Sequence, residues 1–104
     1  MFATIRRYES VDDSRTSELI KKVDEGLALK LSELPGFGGY YVIDAGDGVL
    51  SSISVFDNSE HAEASNRVAS DWVREQKLDA ALPKPPKTTS GKVVVDRTSE
   101  VVPA

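Results

Sequence analysis

The 104-residue chain contains no cysteine and only one histidine, one tryptophan and one methionine. Without cysteine there can be no disulfide, no thiolate nucleophile and no Cys-based metal site. A single histidine rules out a His-rich metal centre, and no nucleophile stands at a diagnostic spacing from it, so no catalytic triad can be built. No carboxylate spacing of the EF-hand type occurs either, and no metal is expected. Excess positive charge is also missing. The net charge is −4, and the only adjacent basic pairs are Arg6-Arg7 and Lys21-Lys22. Such a surface opposes nucleic-acid binding, which draws its affinity from basic groups on phosphate. No apolar run approaches the roughly 18 residues of a membrane span. The apolar stretch at the N-terminus is too short for a signal peptide, so the expectation is a cytoplasmic protein with no membrane partner.

Hydrophobic residues make up 39% and charged residues 29%, the balance of an ordinary globular domain. The length suits one domain. Residues 2–8 are rich in β-branched and aromatic side chains and predict a first strand. Asp12, Asp13 and Ser14 offer N-caps for a helix whose Leu19, Ile20, Val23, Leu27, Leu31 and Leu34 share an arc of about 120°. Pro35-Gly36 stops it. Residues 37–45 and 49–56 predict two strands joined by Asp44-Ala45-Gly46-Asp47-Gly48, a strong hairpin signal. Asp57, with Glu60 three residues on, is expected to cap a second helix running to about residue 82. Pro83-Lys84-Pro85-Pro86 breaks it. Residues 92–97 predict the last strand, 1–97 a single domain, and 98–104 a tail in which Val101-Val102 has pairing potential.

The order is βαββαβ, an α+β, ferredoxin-like plan with a four-stranded antiparallel sheet and two helices on one face. Pairing strands two and three across an even loop sorts their residues into two sets. One holds Phe37, Gly39, Tyr41, Ile43, Leu50, Ser52, Ser54 and Phe56, the other Gly38, Tyr40, Val42, Val49, Ser51, Ile53 and Val55. Both are largely apolar, so both faces are expected to be buried. The same sheet from a second copy is the economical cover for the face without helices, which predicts a homodimer through the sheet faces.

The inward arc of the second helix holds His61, Ala62, Ser65, Asn66, Val68, Ala69, Trp72, Val73 and Gln76. Four of these nine are polar, an unusual share for a buried stripe. Polar groups buried against a sheet need partners, and a pocket with a few polar groups among aromatics supplies them. His61 has the titration range of an acid–base group, and is the candidate catalytic residue. Its place in the first helical turn equally suits a half-exposed structural histidine. Trp72 is a core residue or a stacking platform. Arg6 and Arg7 point to opposite faces of the first strand. One of them binds an anionic group or forms a rim salt bridge; Arg6 has the parity of Thr4 and Tyr8. Tyr41 shares its predicted face with Gly39, Ser52 and Ser54, which leave room beside its ring. The expected pocket is therefore lined by His61, Ser65, Trp72, Gln76 and Tyr41, with Arg6 at its edge.

The stretches FATIRRYE and ELPGFGGYYVIDAGDGVLSSISVFDNSEHAEASN give the chain its family likeness. Their pattern is a Pro-Gly-aromatic lead into strand two, a hairpin, and an aromatic ending strand three before an acidic cap. Over residues 1–97 the chain resembles the dimeric α/β-barrel superfamily, near the antibiotic-biosynthesis-monooxygenase-like domains. The resemblance implies a dimer. It also implies a small aromatic or phenolic ligand, which some members oxidise with O₂ and no cofactor. Other members degrade haem, dismutate chlorite or isomerise lactones. The haem-degrading branch uses an Asn in strand one, a Trp in helix two and a later His. Trp72 matches the Trp, but Thr4 stands in strand one and no His follows Trp72, so that chemistry is not implied. Many relatives place a His where this chain has Ser65, with His61 one turn earlier. A non-catalytic ligand-binding, regulatory or dimerisation domain is the alternative.

Overall fold

In the computed structural model, which describes residues 1–78 and 81–97, strand β1 (Phe2–Tyr8) lies inside the sheet. It pairs antiparallel with β3 (Val49–Phe56) on one side and β4 (Lys87–Lys92) on the other. Strand β2 (Phe37–Gly46) pairs with β3, so the order is β2-β3-β1-β4. Helices cover one face, and their core of Leu19, Leu27, Leu31, Ala69 and Trp72 packs on Leu50 of β3. The fold is the expected ferredoxin-like α+β sandwich. None of the helices among the described residues is long and apolar enough to cross a membrane.

The first helical segment is not uniform. Asp12 accepts hydrogen bonds from the backbone N–H and the hydroxyl of Ser14 and starts a short 3₁₀ turn, Asp13–Arg15. Helix α1 (Thr16–Lys22) leads into a π-helical turn, Val23–Leu27, and then into α2 (Ala28–Ser32). The wider turn coincides with the seat of Trp72. A Cβ added to Gly26 would lie 3.0 Å from the indole Nε1, a tight contact that would push the ring by a few tenths of an ångström, so glycine suits this seat.

Two features of the hairpin depart from the sequence expectation. Phe37 pairs with Phe56, but Gly39 rather than Gly38 pairs with Val55. This β-bulge shifts every later residue of β2 by one, so Tyr40 and Val42 face the helices while Tyr41 and Ile43 face away. A second irregularity precedes the turn at Asp47 and Gly48, both at positive φ as a type I′ turn requires.

Helix α3 (Ser59–Glu75) is capped by Asn58, not Asp57: the Asn58 side chain accepts the His61 N–H at 2.9 Å. It ends earlier than expected, at Gln76, with Lys77 left-handed at the position that terminates helices. Leu78, Ala81 and Leu82 then fold back onto the core. The last strand also differs. β4 begins at Lys87, directly after the proline strap, because this short connection already brings residue 87 beside Arg7. Val94 and Val95, counted into the strand on propensity, are more than 80% exposed. The tail 98–104, with Val101-Val102, lies outside the described residues.

Replacing Asn58 by alanine should cost about 1 kcal/mol of stability, the usual loss for a cap. Chemical denaturation checks it, and a midpoint equal to the parent's would show that the side chain caps nothing.

Candidate functional site

Between the sheet and the helices lies a cavity of about 50 Å³, space for a few water molecules. Its sheet wall is Arg6, Tyr8, Tyr40, Val42, Leu50, Ser51 and Ser52, and its helix wall includes Leu19, Ile20, Val23, Leu27, Ala69 and Trp72. Two clefts adjoin it. On the proline-strap side lies a cleft of about 430 Å³, which shares Arg6, Tyr8, Ala69, Val73 and Leu82 with it. Towards the β2 edge it meets a second cleft of about 420 Å³ through Ile20, Val23, Tyr40 and Val42. The strap-side cleft alone is the size of a small-molecule site, roughly 300–1,000 Å³.

Few polar groups interrupt this apolar lining: one guanidinium, which only donates, and the hydroxyls of Tyr8, Tyr40, Ser51 and Ser52. The Arg6 guanidinium makes one long bond, from Nη2 to the backbone carbonyl of Asn66 at 3.4 Å. Among the described residues no carboxylate lies within ion-pair distance of it. Burial pushes the Tyr8 phenol above its usual range, against a smaller pull from Arg6. Burial also raises Tyr40, with Tyr8 adding to the shift while Ser52 and Arg6 oppose it. Both phenols therefore stay protonated near neutrality and offer O–H groups. Trp72 is 4% exposed and contributes its indole. No His, Asp or Glu among the described residues lines the cavity. On the same side of the sheet, Asn66 Oδ1 is buried with no partner among the described residues.

Of the residues expected to form a pocket, the structure brings Arg6 and Trp72 together and separates the others. Tyr41 stands 60% exposed on the far side of the sheet, because the bulge at Gly38 reverses its face. Gln76 is exposed at the end of α3, where it lines an outer cleft with Arg15, Glu18 and Lys22. Ser65 is buried, but its hydroxyl donates to the Ala62 carbonyl at 2.6 Å within its own helix. His61 sits in the first turn of α3, half-exposed, with Nδ1 2.6 Å from Asp57 Oδ1. That hydrogen bond holds the Asp57 carboxyl below its usual range. Gly36 crosses this pair so closely that a Cβ there would strike both side chains. Among the described residues no three His, Asp or Glu side chains converge as metal ligands.

Tyr8 and Tyr40 were missed by sequence reasoning. Tyr8 was findable, since it shares strand parity with Arg6. Tyr40 required the bulge, for which the Gly38-Gly39 pair inside a strand was the available signal.

No model of a known protein family matches the chain, and no curated protein matches it in sequence. Solved structures match its fold. One is a protein of unknown function from Nitrosomonas europaea, 14% identical, covering 96% of this chain and 95% of its own, with a TM-score of 0.75. Another is the ActVA-Orf6 monooxygenase of Streptomyces coelicolor in complex with nanaomycin D, 16% identical, covering 99% and 92%, with a TM-score of 0.67. A third is an MhuD variant with two manganese protoporphyrin IX molecules bound per active site, 19% identical, covering 95% and 100%, with a TM-score of 0.73. Further matches are described as antibiotic biosynthesis monooxygenases. At these identities the likeness is one of fold, shared with structures several of which are described as antibiotic biosynthesis monooxygenases.

Tyr8 and Tyr40 make the alkaline limb of stability a direct probe of the cavity. Their raised values mean that stability is intact below the ordinary tyrosine value of 10.0 and is lost as pH rises through the higher folded-state values. Replacing both by phenylalanine should flatten this loss and remove late-ionising phenolate absorbance. An alkaline limb unchanged in the double variant would place both phenols in water.

Proposed function

We propose that the chain is a homodimeric small-molecule-binding domain of the monooxygenase type that takes a small aromatic or phenolic compound between sheet and helices. The observation that carries this reading is an unpaired Arg6 guanidinium beside an aromatic, otherwise apolar cavity. A planar ligand would stack on Trp72 or Tyr40 while its oxygen accepted hydrogen bonds from Arg6 and the tyrosines. In an oxygenase that needs no cofactor, the same donors would stabilise the substrate anion that reacts with O₂. The Streptomyces coelicolor monooxygenase that shares this fold binds nanaomycin D, which supports a small-molecule ligand. His61 lies outside the cavity wall, so an acid–base role for it would require a ligand reaching the first turn of α3.

A second reading, ligand binding without turnover, is favoured by a specific observation. The cavity's described lining has neither imidazole nor carboxylate to take a proton from a substrate. Oxygen uptake with a bound phenol separates the two readings: uptake that Arg6→Gln slows at least tenfold supports catalysis, and binding with no uptake supports the alternative.

Dimerisation through the sheet rests on the face without helices. Ile5, Tyr41 and Ile43 are exposed there, beside the half-buried Ala3, Ile53 and Val55. This contiguous apolar surface, if left in water, would favour association. The chain should sediment as a dimer at micromolar concentration, and Ile53→Asp, a charge in the middle of that face, should yield folded monomer. A parent chain that sediments as a monomer would overturn the assignment.

A further inference from the structure

The described walls of the cavity and strap-side cleft contain no acidic group, although the chain as a whole carries a net charge of −4. The strap-side cleft instead has two cations, Arg6 on its floor and Lys84 on the strap. Arg6 spends one long hydrogen bond on a backbone carbonyl and leaves its other N–H groups for a ligand. Lys84 also feels Glu9, but Glu9 is engaged by Lys87 at 2.9 Å and Arg7 at 3.5 Å. The opposite cleft, at the β2 edge, has Lys21 and Asp24 in its wall and no net charge. The space is thus polarised, with a cationic strap end, an apolar waist and a neutral far end.

We propose that this site takes its ligand as a pre-formed anion: a small apolar molecule bearing its own carboxylate, with the charged end between Arg6 and Lys84 and the apolar body towards Trp72. This rests on the small-molecule reading above and narrows its ligand class. A half-buried guanidinium in apolar surroundings is costly to leave unpaired, and pairing with a carboxylate satisfies it in the bidentate geometry that arginine favours. With no proton acceptor among the described lining groups, a neutral phenol would find donors but nothing to ionise it. A carboxylate enters already charged.

The test uses 2-naphthoate and its neutral isostere 2-naphthamide, measured by calorimetry on the full chain, with quenching of Trp72, the chain's one tryptophan, reporting that the probe reaches the cavity. The carboxylate should bind at least tenfold more tightly than the amide. Arg6→Gln should erase that preference, weakening the carboxylate at least tenfold more than the amide, which loses only a neutral hydrogen bond. Lys84→Gln, on the exposed strap where folding is not at stake, should reduce carboxylate affinity two- to threefold. Equal affinities for the two probes in the parent chain would overturn the anion proposal and leave the small-molecule reading standing. Binding of neither probe, with Trp72 emission unchanged, would overturn both.

Discussion

At Gly38 strand β2 carries one residue more than β3 opposite it, and the rest of the sheet face inherits that shift. A bulge leaves one residue unpaired and reverses the facing of everything after it. Gly38 and Gly39 make it sterically easy, because neither brings a side chain into the crowded ladder. Its consequence falls on two successive tyrosines. Tyr40 turns under the helices, where burial keeps its phenol protonated, and Tyr41 turns to the open face. Without the bulge, the cavity would hold Tyr41 instead, and the open face would hold Tyr40.

The helix layer is adjusted to the same cavity from above. Gly26 lies in a π-helical turn against Trp72, and a Cβ there would press on the indole at 3.0 Å. Wide turns of this kind often accompany functional sites. The seat holds the ring close to the helix and leaves a narrow gap between it and the sheet. The gap is too small for a whole ligand, but two larger clefts flank it and share its walls. The two charged groups at the strap end, Arg6 and Lys84, only donate, which selects for acceptors and negative charge.

His61 shows how local capping competes with a functional role. Its backbone N–H is bound by Asn58 and its ring by Asp57, both at the start of α3. Gly36 closes over the pair from the preceding loop, donating no side chain but accepting the Asp57 N–H at 2.9 Å. These contacts fasten the β3–α3 corner to the loop before β2. They account for His61 without any ligand.

Much of the fold was legible because it follows from local periodicity and punctuation. The leucines at helical spacing, the β-branched strands and the Asp-Gly hairpin determine element type and order whatever lies beyond them. The presence of Arg6 and Trp72 in the site was legible for the same reason: strand parity and helical phase are properties of the chain alone. Three things were decided only by tertiary structure. The facing of Tyr40 and Tyr41 depends on pairing between two strands, which no single strand's pattern records. The last strand begins at Lys87 rather than at residue 92 because the strap's length and the open edge of β1 set its register, and these outweigh the β-propensity of Val93, Val94 and Val95. The removal of Ser65, Gln76 and His61 from the cavity comes from the position of α3 on the sheet and from partners within its own turns. A helical arc shows which residues face inward, but not which of them meet empty space.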